Sequence, residues 1–505
     1  MLNGVHQSDL ASIEAKASSE VSKSAAIPKK EYRGPIDDCL LNSYLYSRQN
    51  QILADCTLNY VHLYPNPEMT KNLNTIPNLN HELRIGSFNL LHLGDNHAPL
   101  KNFSLVANIM NQWDIVGAQE LMPLASDIAN NNYMIGELIK NDTDNSLKFP
   151  FENWQVQKPG YFKLLQELQL LDPTWAVILQ SMSAGEGGSG EMAGFYYRSS
   201  RVELKEWNYC LNDAKNLDVN KHIQAKNLGC LVKVPDERQK LISRTAFSAY
   251  FKSGHFDFVG LTTHIRYRPS QNPEDVKKQA EQICSQYKNS KNKKCSMPND
   301  DIGRYYEVLT IADQIADIKL KAKDKDVIFM GDFNLQVENK TIDYWKAALL
   351  KAPGLVVFQS DKSTLSSLSK NMASNYDHFI FDQNLTKVCD SKKASVYNFV
   401  SASKPSDDPV LKEIGLFLKP EVQTEWVLEN TKALDNLILF ETKKSAQSNP
   451  IRGLNNEEKK EIKDKFARAW HRMQLNEYSA SMELISDHIP IEMRCKTDQQ
   501  ENETN

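Results

Sequence analysis

The chain has 505 residues, a formal net charge of −4, and 25% charged against 41% apolar residues, the balance of an ordinary globular protein. That charge excludes an overall basic field, so a polyanion would have to be met by local patches or by metal ions. No apolar run approaches the roughly 20 residues that cross a bilayer; the nearest, Ala347 to Phe358, is interrupted by Lys351 and Pro353.

Met1 to Lys30 is rich in Ser, Ala, Lys and Glu and has no apolar core segment, so it does not read as a standard secretory signal. That leaves a cytoplasmic placement or export by another route. Residues 1–80 read as an N-terminal extension, mobile at first and irregular from Tyr32 to Leu79. The main domain is expected over 81–496, with insertions at about 268–300 and 401–481 and a polar tail at 497–505. Eight cysteines lie at 39, 56, 210, 230, 284, 295, 389 and 495, none in a C-x-x-C pair, so a zinc site is not expected. Cys284 and Cys295 bracket a basic loop that a disulfide could close. Scattered reduced core cysteines are the simpler expectation for the set.

The domain opens with an alternating strand, Leu83-Arg84-Ile85-Gly86-Ser87-Phe88-Asn89, that ends on a carboxamide. A helix over Phe103 to Gln112 leads to a second strand, Ile115 to Glu120, that ends on a carboxylate. Tyr133 to Leu171 reads as mostly helical. After a Gly-rich loop at Gly185 to Gly190, Glu191 opens a strand to Arg198, with Arg201 to Trp207 expected as its hairpin partner. The loop lacks the Gly-Lys-Ser/Thr ending of a phosphate-binding loop. Ser243 to Phe251 and Phe256 to His264 pair as a hairpin, and the second strand ends on an imidazole. Lys277, Lys278, Lys288, Lys291, Lys293 and Lys294 make the first insertion basic, a hydrophilic loop expected at the cleft rim. An amphipathic helix over Tyr305 to Ala322 feeds the buried strand Val327 to Gly331. That strand stops on a Gly and delivers Asp332 and Asn334, two residues apart and therefore on one face of an extended chain. A helix over Thr341 to Leu350 follows, then a short strand after Asn375-Tyr376-Asp377. The mainly helical second insertion precedes a last strand in Leu484 to Met493, which carries Asp487-His488.

Each strand end alone is an ordinary turn or a solvated end. Together, Asn, Glu, His, Asp-x-Asn, Asp and Asp-His describe clustered carboxylates, amides and two imidazoles. Metal-assisted phosphodiester hydrolysis needs such a set: oxygen ligands for a hard divalent cation, an imidazole–carboxylate pair, and amides that orient water.

Through Ser-Phe-Asn, Gln-Glu, Gly-Asp-Phe-Asn and Ser-Asp-His, from about Leu83 to Arg494, the chain resembles the endonuclease/exonuclease/phosphatase superfamily. Glu191, Ser243-Arg244 and Tyr376-Asp377 are most similar to the deoxyribonuclease I branch. The resemblance implies a four-layer α/β sandwich of two mixed, largely antiparallel sheets flanked by helices. It implies that Asn89, Glu120 and Asp487 hold or border the metal, Mg²⁺ with Ca²⁺ or Mn²⁺ as alternatives. Glu191 would orient His264 and Asp377 would orient His488, while Asp332 and Asn334 place water and phosphoryl oxygens and Arg244 contacts phosphate. The implied activity is endonucleolytic cleavage of DNA to 5′-phosphate and 3′-hydroxyl ends, with no membrane span and no obligate protein partner. A phosphoinositide phosphatase or sphingomyelinase-like hydrolase is the same-fold alternative, and a silent binding module the other. The chain departs from the branch at His378, at Thr245-Ala246, and at Leu121-Met122 after Glu120, where deoxyribonuclease I carries a groove-entering Arg.

Overall fold

The computed structural model describes residues 61–63, 81–93, 100–122, 160–180, 191–210 apart from 208, 228–266, 272–291 and 456–498. It also describes 299–400 apart from 325, 339–340, 350–351, 353–354, 359–360 and 391–394, together with 419 and 421. The readings for Met1 to Lys30, Tyr133 to Pro159 and Gly185 to Gly190 lie outside the described residues, as does most of 401–455.

Two sheets of seven strands face each other. The first has the order β1 (Val61–Leu63), β4 (Trp175–Leu179), β5 (Met192–Arg198), β3 (Ile115–Leu121), β2 (Glu82–Leu93), β16 (Ile491–Lys496), β15 (Ser395–Val396). The second has the order β11 (Leu355–Phe358), β14 (Asp377–Asp382), β10 (Val327–Asp332), β9 (Phe256–His264), β8 (Phe247–Ser253), β6 (Glu203–Lys205), and β7 (Gly229–Leu231) also pairs with β8. Among the described residues, only β2–β3 and β9–β10 run parallel; the other pairs are antiparallel. A short ribbon, β12 (Leu365–Ser366) with β13 (Asn371–Met372), stands apart from both.

Alternation along the strands sorts side chains into layers. From β10, Ile328 and Met330 enter the core between the sheets, beside Ile85, Phe195 and Phe251. Val327 and Phe329 face the other way, toward helices α5 (Asn299–Ala312) and α6 (Ile315–Ala322). On the far side, Phe88 and Val116 of the first sheet pack on α1 (Phe103–Met110), α2 (Gly160–Leu171), α8 (Asn456–Met473) and α9 (Glu477–Leu484). The four layers of the expected sandwich are therefore present. In chain order the remaining helices are α3 (Asp236–Gln239), α4 (Pro273–Lys291) and α7 (Ile342–Ala348).

Several local expectations change. Arg201 to Trp207 does not pair with the strand after Glu191; Glu203–Lys205 crosses to the second sheet and pairs with Lys252, Phe251 and Tyr250. Tyr305 to Ala322 is two helices, broken at Asp313-Gln314. Leu484 ends a helix, and the last strand begins only at Ile491. Val61–Leu63 in the N-terminal extension forms an edge strand against β4. The first insertion is the helix α4, anchored by buried Ile283 and by Gln279 Nε2 donating to Leu241 O. Lys277 and Lys278 are exposed on it, and the side chains at Lys288, Lys291, Lys293 and Lys294 lie outside the described residues. The reduced-cysteine expectation is overturned: Cys210–Cys230 and Cys389–Cys495 are disulfides, and Cys284 is disulfide-bonded as well.

Candidate active site

Register brings the polar strand ends together. In the second sheet, Asp332 lies opposite His264 on one side and opposite Asp377 on the other, so three strands present one row of side chains. Gly331 makes the row possible. Its φ is 145°, and a Cβ there would meet Thr263 O at 1.9 Å, so only glycine fits. In the first sheet, Asn89 pairs with Gln119, one residue before Glu120, and Glu191 immediately precedes β5. The loop Ser486 to His488 enters from the neighbouring β16 and is tied down by Ser486 Oγ donating to Asn89 O at 2.7 Å.

The side chains form one continuous network across the two sheets. Asn89 Nδ2 donates to Glu120 Oε1 at 2.9 Å and to Asp332 Oδ2 at 3.0 Å. Asp332 Oδ2 is 3.5 Å from His264 Nε2 and 3.4 Å from His488 Nε2, so it lies between two imidazoles. Each imidazole has its own carboxylate behind it: His264 Nδ1 is 2.7 Å from Glu191 Oε2, and His488 Nδ1 is 2.8 Å from Asp377 Oδ2. Arg244 Nη2 donates to Glu191 Oε1 at 2.8 Å. Asn334 Nδ2 reaches His264 Nε2 at 3.1 Å and donates to Ile265 O at 2.8 Å, while Asp332 Oδ1 accepts from Asn334 N at 2.8 Å. Asp487 lies beside His488, with Oδ1 3.9 Å from Nε2. All ten residues singled out in the sequence thus fall in this one network.

Its backbone is strained. Glu120 (φ 55°), Asn334 (φ 50°), Leu91 (φ 44°) and His92 (φ 48°) all adopt the left-handed region without being glycine. Such conformations concentrate where side chains are held for function.

Burial and charge then set the protons. Burial pushes the Glu120 carboxyl up, but His264, His92 and the Asn89 amide outweigh it, leaving it down at about 2. Burial raises Asp332 and Asp487, against the opposing pull of His488 on both. For His488 burial opposes protonation, but Asp377, Asp332 and Asp487 hold it well above the usual imidazole range. His264 is raised too: burial lowers it, while the Glu191 hydrogen bond and Asp332 more than offset that. Both imidazoles are thus biased toward the protonated form, His488 the more strongly.

Four supporting residues had no sequence signal. Ser363 Oγ donates to Asp377 Oδ2 at 2.6 Å. Lys101, buried beneath the site, donates to Leu90 O at 2.8 Å and Ile485 O at 2.6 Å; burial pulls its ammonium down to about 8. From α5, Glu307 Oε1 accepts from Ser243 N and Oγ, next to Arg244, and Arg304 Nη1 donates to Asn334 O at 2.7 Å. A fifth, His92, stands against Glu120. Helix-period or strand-period reading cannot find such residues, because their role depends on which segments become neighbours.

No protein-family model and no curated protein matches the chain. Among solved structures it is similar to the endonuclease/exonuclease/phosphatase from Bacteroides vulgatus, at 14% identity over 60% of this chain and 87% of that one, TM-score 0.31. It is similar to beta toxin 275-280 from Staphylococcus aureus at 13% identity, over 63% of this chain and 90% of that one, TM-score 0.33. D. rerio TDP2 complexed with single strand DNA product is 14% identical over 60% of this chain and 84% of that one, TM-score 0.28. The solved proteins to which the chain is similar thus include endonuclease/exonuclease/phosphatase proteins, the superfamily that its Ser-Phe-Asn, Gln-Glu, Gly-Asp-Phe-Asn and Ser-Asp-His motifs resemble.

Proposed function

We propose that the chain is a divalent-metal-dependent phosphodiester hydrolase of the endonuclease/exonuclease/phosphatase superfamily, acting on DNA as an endonuclease. The observation that carries the reading is Asp332 between two imidazoles, each backed by its own carboxylate, beside the oxygen-rich corner of Glu120 and Asp487. That corner suits a hard cation: Glu120 is ionised, and Asp487 Oδ1 is buried with no hydrogen-bond partner, an oxygen left for a positive charge. Glu120 and Asp487 would hold the ion. Asn89, whose amide nitrogen donates to Glu120 and to Asp332, would fix Glu120 at its border. Mg²⁺ is the expected ion, and when bound it would draw charge from a phosphoryl oxygen.

The residues around it divide the remaining work. Asp332, raised by burial and held by the Asn334 backbone N–H, aligns a water and takes its proton. His488, kept protonated by Asp377, neutralises charge developing on the phosphoryl oxygens or protonates the leaving 3′-oxygen. His264 and Arg244, joined through Glu191, present cationic edges to the same phosphate. Loss of the 3′-oxygen leaves 5′-phosphate and 3′-hydroxyl ends.

A second reading, a lipid-headgroup phosphodiester as substrate, has one specific observation in its favour. Leu368 is 96% exposed at the tip of the β12–β13 ribbon, and Leu475 is 59% exposed next to Asn476, which donates to Ser367 O. The base of the ribbon touches the site, through Leu365 N donating to Asp487 O and Ser363 Oγ donating to Asp377. One assay separates the readings: plasmid, single-stranded DNA, RNA, sphingomyelin and phosphoinositides, each with Mg²⁺ or with EDTA. Nicking of plasmid that EDTA abolishes is the expected result. Turnover of sphingomyelin or phosphoinositides alone would replace the DNA reading, and no turnover of any substrate would favour a silent binding module.

A further inference from the structure

A third imidazole borders the metal corner and has no part in the mechanism above. After Asn89 the chain curls back through two left-handed residues, Leu91 and His92, and lays His92 over Glu120. His92 N donates to Glu120 Oε2 at 3.0 Å, and its ring Nε2 is 3.7 Å from the same oxygen. The side chain is 35% exposed, so the ring lies at the mouth of the site rather than in the core. One ring nitrogen of His92 and one carboxylate oxygen each from Glu120 and Glu191 lie within 4.8 Å of one another, a spacing one ion can bridge. We propose that His92 is a metal ligand that, with Glu120 and Glu191, makes a mixed imidazole–carboxylate site for a divalent transition ion such as Mn²⁺, Co²⁺ or Zn²⁺.

The physical argument is ligand softness. A corner built of carboxylate oxygens alone favours Mg²⁺ and Ca²⁺, which gain little from nitrogen. An imidazole adds a borderline donor, and affinity for nitrogen-containing sites rises from Mn²⁺ through Co²⁺ toward Cu²⁺. Glu120 is shared between the two corners, so the ion chosen at His92 bears on the same phosphate. A plain ion pair between a protonated His92 and Glu120 is the competing account, and it predicts no selectivity among cations. The inference rests on the placement of Glu120 at the metal, and the test keeps the two apart.

The experiment uses the full chain stripped with chelator and titrated by calorimetry with Mg²⁺, Mn²⁺ and Co²⁺, together with the visible absorption of bound Co²⁺. Wild type, H92A, H92Q and E120Q are compared, each checked for folding by circular dichroism. H92A is expected to weaken Mn²⁺ and Co²⁺ binding by at least about tenfold, the low end of the loss for even a supporting residue of a metal site. It should change the Co²⁺ spectrum and leave Mg²⁺ affinity as it was; H92Q, which keeps the volume, should behave alike and stands in if H92A fails to fold. Co²⁺ binding by a folded His92 variant equal to wild type, or equal loss of Mg²⁺ and Co²⁺, overturns the proposal. If E120Q loses all three ions while the His92 variants lose none, only the His92 assignment fails. If E120Q binds all three as wild type does, the placement of Glu120 itself fails.

Discussion

The two carboxylate–imidazole pairs are built crosswise. In one, the acid, Glu191, comes from the first sheet and the imidazole, His264, from the second; in the other, Asp377 comes from the second sheet and His488 enters from the first. Each pair bridges the sandwich, so neither forms until both sheets are in place. They differ in who shares the acid. Glu191 also binds the Arg244 guanidinium, so its charge is divided between two cations. Asp377 also accepts from the neutral Ser363 hydroxyl, and His488 faces Asp332 and Asp487 besides. One arrangement spreads positive charge over a phosphate-sized surface; the other concentrates it on a single ring.

The largest expected effect breaks both pairs at the ring. H264A and H488A should each lower turnover by about two or more orders of magnitude, the usual scale for acid–base and charge-stabilising groups. The fold should survive, because neither change empties a large apolar volume. The double variant should cost less than the product of the two, since both act on one phosphate. Rates within a few-fold of wild type for either single variant, measured with Mg²⁺ on whichever substrate is turned over, would end the mechanism.

Smaller changes sharpen the contrast from behind. S363A removes a hydrogen bond to the Asp377 carboxylate, and such charge-assisted bonds are worth roughly 1.5–3 kcal/mol. If about half of that is expressed in the transition state, kcat falls roughly three- to tenfold with KM unchanged. E307A acts on the other pair, by loosening the Ser243 turn that carries Arg244, and should instead raise KM. Identical kcat and KM patterns for the two variants would mean that the pairs are not divided in this way.

The pH dependence of stability tests the same asymmetry without substrate. Both imidazoles have folded pKa values above the unfolded value of about 6.5. A raised folded pKa contributes stability that is fully present below the unfolded pKa and is lost as pH rises through the folded one. In chelator, the Tm should therefore fall as pH is raised from about 6. H488Q should flatten that fall more than H264Q, because His488 is held further above its usual range. An equal flattening would place the two rings in equivalent fields.

The site was legible in the sequence because strand ends announce themselves: buried apolar runs stop, and Asp332, Asn334, Glu120 and His264 stand where they stop. Period-two alternation also carries the layering, since Ile328 and Phe329 must face opposite ways. Pairing partners are not written locally. Arg201 to Trp207 follows a strand closely enough to suggest a hairpin, but the chain crosses to the other sheet. His92 escaped notice for a related reason: it extends an alternating strand, and only the two left-handed residues turn its ring toward Glu120. Lys101 and Glu307 act through segments hundreds or tens of residues away, at Ile485 and Ser243.

The cysteines supply the last and, for activity, the smallest prediction. Cys389, in the segment after β14, is bonded to Cys495 of β16 at the end away from the site: β16 follows His488 and reaches Cys495 seven residues later, roughly 20 Å of extended chain. The bond closes a loop of 106 residues, and in the chain-entropy account such a crosslink stabilises by about 4–5 kcal/mol. It ties the segment after β14 to β16, yet touches neither crosswise pair. C389S combined with C495S should therefore lower the denaturant midpoint clearly, with kcat and KM unchanged at a temperature where the variant is still folded. Reductant should do the same to the wild type and nothing further to that bond in the variant. A midpoint unchanged by reductant would remove the stabilising role of the bond, and a loss of kcat in the folded variant would show that the far end is coupled to the site.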